Sequence, residues 1–247
     1  MADWLSSKVV GKRQWNARLF SLRIQSEFNK FEAGQFVRVA LDIAGERVAR
    51  PYSLVNKPGD DYLEIYFNIV DEGPLTPKLA ALEVGDKIFI TNRANGFLIV
   101  DEVPQCKHLW LMATGTGVGP FLSILKTEKV WQRFEKTVLA YSVRDGSELC
   151  YQDQIAAIKK QYAERFSFVP FVTREKIEGV IHQRITASLE DGSFEKRTGI
   201  HINENDSHIM MCGNAAMIAG ASECLEKRGL RKHRRREPGH ITTEKYH

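Results

Sequence analysis

Between residues 18 and 100, short runs of Val, Ile, Phe, Tyr and Leu alternate with polar residues and are cut by turn dipeptides. The stretches 18–24, 35–43, 47–55, 62–70, 87–91 and 97–100 have the length and composition of strands, since β-branched and aromatic side chains suit a pleated, half-buried surface. Ala33-Gly34, Ala44-Gly45, Pro58-Gly59 and Gly85-Asp86 supply the breaks between them. Six strands at this spacing predict a small antiparallel barrel or sandwich. One interruption, Thr76-Pro77 followed by residues 78–82, predicts a short helix with Thr76 as its cap and Pro77 in its first position.

Past Pro104 the rhythm changes. Residues 108–113 form an unbroken apolar run, a glycine-rich turn follows, and 121–130 reads as a helix. Strands are then predicted at 137–142, 166–173 and 208–212, each followed by a helix, at 152–162, 183–190 and 215–227. Strand and helix in alternation imply a parallel sheet covered on both faces. The change of rhythm puts a domain boundary near residues 101–106, dividing the chain into 1–101 and 102–247.

Two domains of this size fit a chain of 247 residues. No apolar run nears the ~20 residues of a membrane span, and the N-terminus lacks the pattern of a signal peptide. Four separated cysteines with no CxxC pair disfavour a zinc site or disulfide scaffold and suit a reducing cytoplasm. The seven histidines show no ligand spacing, so no metal is expected. Charge is unevenly placed: residues 227–236 carry seven Lys and Arg and no acid, and removing them from the net +4 leaves −3. Such a patch is a solvated face, or a landing site for an acidic partner.

The turn Gly115-Thr-Gly-Val-Gly-Pro120 lies between a strand and a helix, the setting of a dinucleotide-binding loop or of a simple tight turn. The next two strands end in Val143-Arg144 and Thr173-Arg174, and Arg184 follows ten residues later. Arginines at the carboxyl ends of parallel strands favour a phosphate over a ribose diol, and so NADPH over NADH. In the first half, Arg50-Pro51-Tyr52-Ser53 offers a guanidinium fork, a flat ring and a hydroxyl. Pro51 withholds one ladder donor, which marks an edge or ligand-facing strand. The helix predicted at Thr76 would aim a second anion site at the same region.

These two segments, with Met211-Cys-Gly-Asn214, stand in the order and spacing of the ferredoxin–NADP+ reductase family. The whole chain resembles the bacterial ferredoxin (flavodoxin) reductases of enterobacterial type. The resemblance implies an antiparallel FAD-binding barrel, an α/β NADP(H)-binding domain, and a C-terminal tail that returns to the flavin. By position it implies FAD contacts at Arg50, Pro51, Tyr52, Ser53, Tyr66, Pro74, Leu75 and Thr76, with Thr116 near both nucleotides. It implies NADP contacts at Val143, Arg144, Thr173, Arg174, Arg184, Met211, Cys212 and Gly213. Ser53, Cys212, Glu244 and Tyr246 would form the active site, exchanging a hydride between nicotinamide and flavin. The chain ends in Tyr246-His247 where that type has Tyr-Trp, so a smaller ring is offered for the FAD contact implied at His247. The resemblance further implies ferredoxin or flavodoxin as an acidic partner. A monomer that binds neither nucleic acid nor membrane is expected. A reductase serving an oxygenase or free flavins, and a non-enzymatic binder acting through the basic run, are the alternatives.

Overall fold

The computed structural model describes residues 3–28 and 30–246. The first half contains β1 (Trp4–Gln14), β2 (Leu19–Gln25), β3 (Phe36–Ile43), β4 (Glu46–Ser53), β5 (Leu63–Asn68), α1 (Thr76–Ala81) and β6 (Lys87–Thr91). The strands pair antiparallel in the order β4-β3-β6-β1-β2-β5. The two edges then meet: Leu54 bridges Ile65, and Val55 N–H donates to Glu64 O at 2.9 Å, closing the sheet into a barrel. Val9, Leu22, Val37, Val39, Ile65 and Ile90, each fully buried, fill its interior.

Three expectations for this half need correction. Residues 97–100 are not a strand; they run through a bend into a short 3-10 turn at Val100–Glu102, with Leu98, Ile99 and Val100 buried. The sixth strand is β1, whose signal is faint because Val9 and Ser7 face inward and a bulge between Val9 and Gly11 breaks the alternation. Thr76 does not cap α1. Leu75 already has helical dihedrals, so Thr76 enters the helix, and its hydroxyl accepts from Val70 N–H at 2.8 Å instead.

The second half holds β7 (His108–Thr114), α2 (Gly119–Leu125), α3 (Glu128–Arg133), β8 (Lys136–Val143), α4 (Gln152–Gln161), β9 (Phe166–Val172), α5 (Ile185–Glu190), α6 (Ser193–Thr198), β10 (Ser207–Asn214), α7 (Ala215–Glu226) and β11 (Ile241–Tyr246). All five strands are parallel, in the order β11-β10-β7-β8-β9. Both faces are covered: Leu109, Leu111 and Ala113 of β7 join one core, Trp110 and Met112 the other, and all five are fully buried. That is why this strand reads as a continuous apolar run. The helix predicted at 121–130 is broken into α2 and α3 around Thr127. Neither α6 nor β11 was expected from sequence; β11 is a polar edge strand, fully buried only at Ile241.

The two sheets share a core. Leu19, Val55 and Tyr66 of the first half pack with Val118, Phe121 and Leu122 of the second. The order of parallel strands reverses between β7 and β10, and ligands of open α/β sheets bind in the crevice at such a point, beyond the carboxyl ends of the strands.

Candidate active site

Four predicted residues meet at that crevice. Parallel pairing of β10 with β11 sets Cys212 beside Glu244 and Asn214 beside Tyr246. Ser53, the last residue of β4, reaches this sheet from the barrel. Tyr246 OH donates to Ser53 Oγ at 2.8 Å, and Ser53 Oγ donates to Glu244 Oε1 at 3.0 Å. Partners 193 and 191 residues apart thus form one chain of hydroxyls ending on a carboxyl group.

Burial governs the protons here. It raises the Glu244 carboxyl above its usual range, opposed by the Ser53 hydrogen bond. Burial and the nearby Glu244 raise the Cys212 thiol, and burial followed by Cys212 and Glu244 raises the Tyr246 phenol. Thiol and phenol are therefore neutral at pH 7, and the carboxyl is held towards its protonated form. The sequence reading missed Gly96, whose role shows only in space. A Cβ there would lie 3.2 Å from the Phe36 ring and 3.4 Å from Glu244 Oε2, at a φ of +112°.

The glycines of the turn and of β10 have divided roles. Gly117 and Gly213 serve close packing: an added Cβ would lie 2.5 Å from Cys212 O or 2.3 Å from Thr114 Oγ1, respectively. Asn214 N–H donates to the same Thr114 Oγ1 at 2.7 Å, and the Asn214 side chain caps α7 through Ala216 and Met217 N–H. Gly115, at a φ of +53°, instead opens onto free space beside the half-buried Thr116. Met211 turns its side chain away from the crevice into the opposite core, with Ile209 and Ile218.

Past β8 and β9 the ladder continues: Thr173 N–H donates to Val143 O at 3.1 Å and Arg174 N–H to Arg144 O at 2.9 Å. Arg144 and Arg174 are thereby neighbours, and Arg184 immediately precedes α5. All three are exposed, and among the described residues none has a carboxylate partner. Val143 is buried and Thr173 half-buried.

On the barrel side, β4 stands at one end of the strand order, the edge position being one of the two, edge or ligand-facing, that Pro51 implied. Arg50 is exposed and, among the described residues, its guanidinium bonds only to the neighbouring Ala49 O, at 2.8 Å. Tyr52, half-buried, leaves β4 on the face opposite Ser53 and meets Phe67 edge-on at 6.0 Å. Tyr66 packs edge-on against Trp15 and Tyr151, and its buried hydroxyl faces Tyr141 and Cys150. Pro74 and the buried Leu75 lead into α1, ahead of Thr76. His247 lies outside the described residues.

The basic run is less free than its sequence implies. Lys227 pairs with Glu223, Arg228 with Glu195, Arg234 with Glu237 and Arg235 with Glu102. Arg235 also lies over the Phe97 ring, 4.1 Å from its centroid. Arg231, Lys232 and Arg236 remain exposed with no carboxylate partner among the described residues.

An exposed Arg50 bonded only to its neighbour's carbonyl among the described residues, and the open space at Gly115, suit phosphates. Comparison with known proteins agrees. The oxidoreductase FAD-binding domain matches residues 8–93, and the oxidoreductase NAD-binding domain matches residues 111–223. Fold and site together define a flavin- and nicotinamide-dependent oxidoreductase. The flavodoxin/ferredoxin–NADP reductase of Escherichia coli (strain K12) is 42% identical over 247 residues, covering 100% of both chains. The ferredoxin–NADP reductase of Pseudomonas aeruginosa is 31% identical, covering 99% of this chain and 98% of its own. The crystal structure of a ferredoxin NADP+ reductase from Neisseria gonorrhoeae with bound FAD and NADP matches with a TM-score of 0.94 at 31% identity, covering 99% of each chain. The chain belongs to the flavodoxin/ferredoxin–NADP reductase family.

Proposed function

We propose that the protein exchanges a hydride between NADP(H) and FAD, and single electrons between FAD and a small acidic carrier of the ferredoxin or flavodoxin kind. FAD, when bound, supplies both the hydride and the one-electron chemistry; the protein supplies position and electrostatics. The observation that carries this reading is the Tyr246–Ser53–Glu244 chain beside Cys212, assembled from both halves at the strand-order reversal.

In this reading residues 1–101 hold FAD and 102–247 hold NADP(H). Arg50 neutralises the FAD pyrophosphate, with backbone from Pro74, Leu75 and Thr76 beside it, and Pro51 keeps the strand extended. Tyr52 and Tyr66 frame the flavin. Ser53 Oγ holds a proton at the flavin edge, shared with Glu244, whose raised carboxyl can return it. Cys212, with the backbone of Met211 and Gly213, orients the nicotinamide, and Tyr246 guards the same face. Thr116, Val143, Arg144 and Thr173 flank the dinucleotide, while Arg174 and Arg184 bind the 2′-phosphate. Arg231, Lys232 and Arg236, with the 59%-exposed Phe97 near Arg235, form the carrier's landing area. His247 would add a ring for FAD. A cytoplasmic monomer is proposed, in keeping with four free thiols at Cys106, Cys150, Cys212 and Cys224.

The test is an anaerobic absorption titration of the purified protein with NADPH, and with NADH in parallel. A yellow protein bleached by NADPH at far lower concentration than by NADH is the expected result. Equal bleaching would withdraw Arg174 and Arg184 from the 2′-phosphate, and a colourless protein that takes up no FAD would refute the reading.

A further inference from the structure

Several hydrogen bonds join the two halves away from the crevice. Ser123 Oγ donates to Asn56 O at 2.6 Å, Lys126 Nζ to Val55 O at 2.9 Å, and Tyr151 OH to Glu64 Oε1 at 2.7 Å. Of these three, only the last joins two side chains, and both are buried: Tyr151 is 1% exposed and Glu64 3%. A buried carboxylate is costly unless its lone pairs are used. Arg23 Nε takes the other oxygen of Glu64 at 3.2 Å, so this one is bonded at both ends.

Tyr151 also occupies its position against local preference. Its φ is +62°, a left-handed conformation that side chains other than glycine and asparagine seldom adopt, and it stands immediately before α4. Strain of this kind persists where tertiary contacts over-determine it. Here those contacts are the Glu64 bond, the Trp15 ring at 4.4 Å and the Tyr66 ring at 5.2 Å.

Each end of the pair leads to one side of the crevice. Next to Tyr151, Cys150 N–H donates to Glu148 O at 2.8 Å, and Tyr141 OH donates to the same oxygen at 3.0 Å. The Glu148 carboxylate in turn accepts Arg144 N–H at 3.0 Å. On the barrel side Glu64 N–H donates to Asn56 Oδ1 at 2.8 Å, three residues beyond Ser53, and Tyr66 follows Glu64 by two residues on the same strand.

We infer that Tyr151 and Glu64 are a positioning pair that sets the register between the loop carrying Arg144 and the barrel edge carrying Ser53 and Tyr66. The inference rests on the function proposed above, because register matters to the reaction only if two nucleotides meet between those elements. Neither residue touches the reacting atoms. Tyr151→Phe removes one hydroxyl, keeps the ring packing, and leaves Glu64 short of a donor.

The test uses the FAD-loaded enzyme carrying Tyr151→Phe. Single-turnover reduction by NADPH is expected to slow about tenfold, since small misplacements of reacting groups cost rate steeply, with little change in the NADPH concentration needed for half-maximal rate. The long-wavelength charge-transfer absorption of the mixed nicotinamide–flavin complex should weaken in parallel, and hydrogen exchange across residues 144–151 should quicken. Glu64→Gln keeps an oxygen to accept the phenol and should give a smaller loss; it also serves if the first variant folds poorly. Unchanged exchange and unchanged charge-transfer absorption in a folded, FAD-loaded variant would overturn the inference. So would a rate loss matched by loss of FAD or of melting temperature, which marks a purely structural bond. Failure of the wild type to be reduced by NADPH would instead refute the function, and the exchange measurement would still decide whether the pair holds the loop.

Discussion

Two groups of arginines in this protein have similar sequence character and opposite circumstances. Arg144, Arg174 and Arg184 stand apart in sequence and lack carboxylate partners among the described residues. The run at 227–236 is the obvious basic feature, yet Lys227, Arg228, Arg234 and Arg235 are each paired with an acid. Charge density along a chain therefore does not measure charge available to a ligand. What remains available is decided by which carboxylates the fold brings within reach; Lys227–Glu223 and Arg234–Glu237 are exposed pairs that add little to stability, while the Glu195 partner of Arg228 is buried.

The comparison breaks most readily at the first group. Arg174→Ala with Arg184→Ala should weaken NADPH by about 100-fold or more, at about 1.5–3 kcal/mol per charged hydrogen bond, and leave NADH nearly unchanged. Parallel titrations with both nucleotides measure this, and an equal loss for both would remove the phosphate from the argument. Neutralising Arg231, Lys232 and Arg236 together should slow association with an acidic carrier about tenfold at low ionic strength. The effect should fade at high salt, and the NADPH titration should not move. Arg235→Ala should be the mildest change, a small shift in denaturant melts, because the Arg235 side chain is itself 62% exposed although its Glu102 partner is mostly covered.

Glu244 gives the acidic counterpart, a half-buried carboxyl whose hydrogen-bond partner is a hydroxyl and not a cation. Its folded-state pKa is raised above 4.5, so the folded chain binds the proton more tightly than the unfolded one. That contribution to stability is fully present below pH 4.5 and is lost as pH rises through the folded value. Glu244→Gln should flatten the pH dependence in this window and raise stability relative to wild type at neutral pH. Melting curves from pH 4 to pH 8 decide it; an unchanged slope would mean that Glu244 is not desolvated.

Legibility followed the strength of local signals. The apolar run of β7 and the glycine turn after it were readable because burial on both faces and a tight turn each leave a plain composition. The strands β1 and β11 were not. A bulge disrupts the alternation of one, and the other is an edge strand of Ile, Thr, Glu, Lys and Tyr. The helix start at Thr76-Pro77 was seen, and the capping hydroxyl misassigned, because nothing local tells that Val70 will compete for it. Ser53, Cys212, Glu244 and Tyr246 were named through motif resemblance, but their hydrogen bonds were not foreseeable. Gly96 carried only the signal of an Asn-Gly turn, which says nothing of a carboxyl group 148 positions later in the chain.

The sequence by itself determined the kinds of structure in each half and the chemical groups available, because periodicity, turn residues and side-chain identity act over a few neighbouring positions. It determined the two-part architecture through a change of rhythm after Pro104. Only the tertiary structure decided which arginines are left uncompensated, which glycines make room for Cys212 and Glu244, and which strand completes the parallel sheet. It also decided that Tyr151 would hold a left-handed backbone to reach Glu64. Those outcomes depend on contacts between residues up to 193 positions apart, and the energies of burial, pairing and strain exist only once the chain has closed on itself.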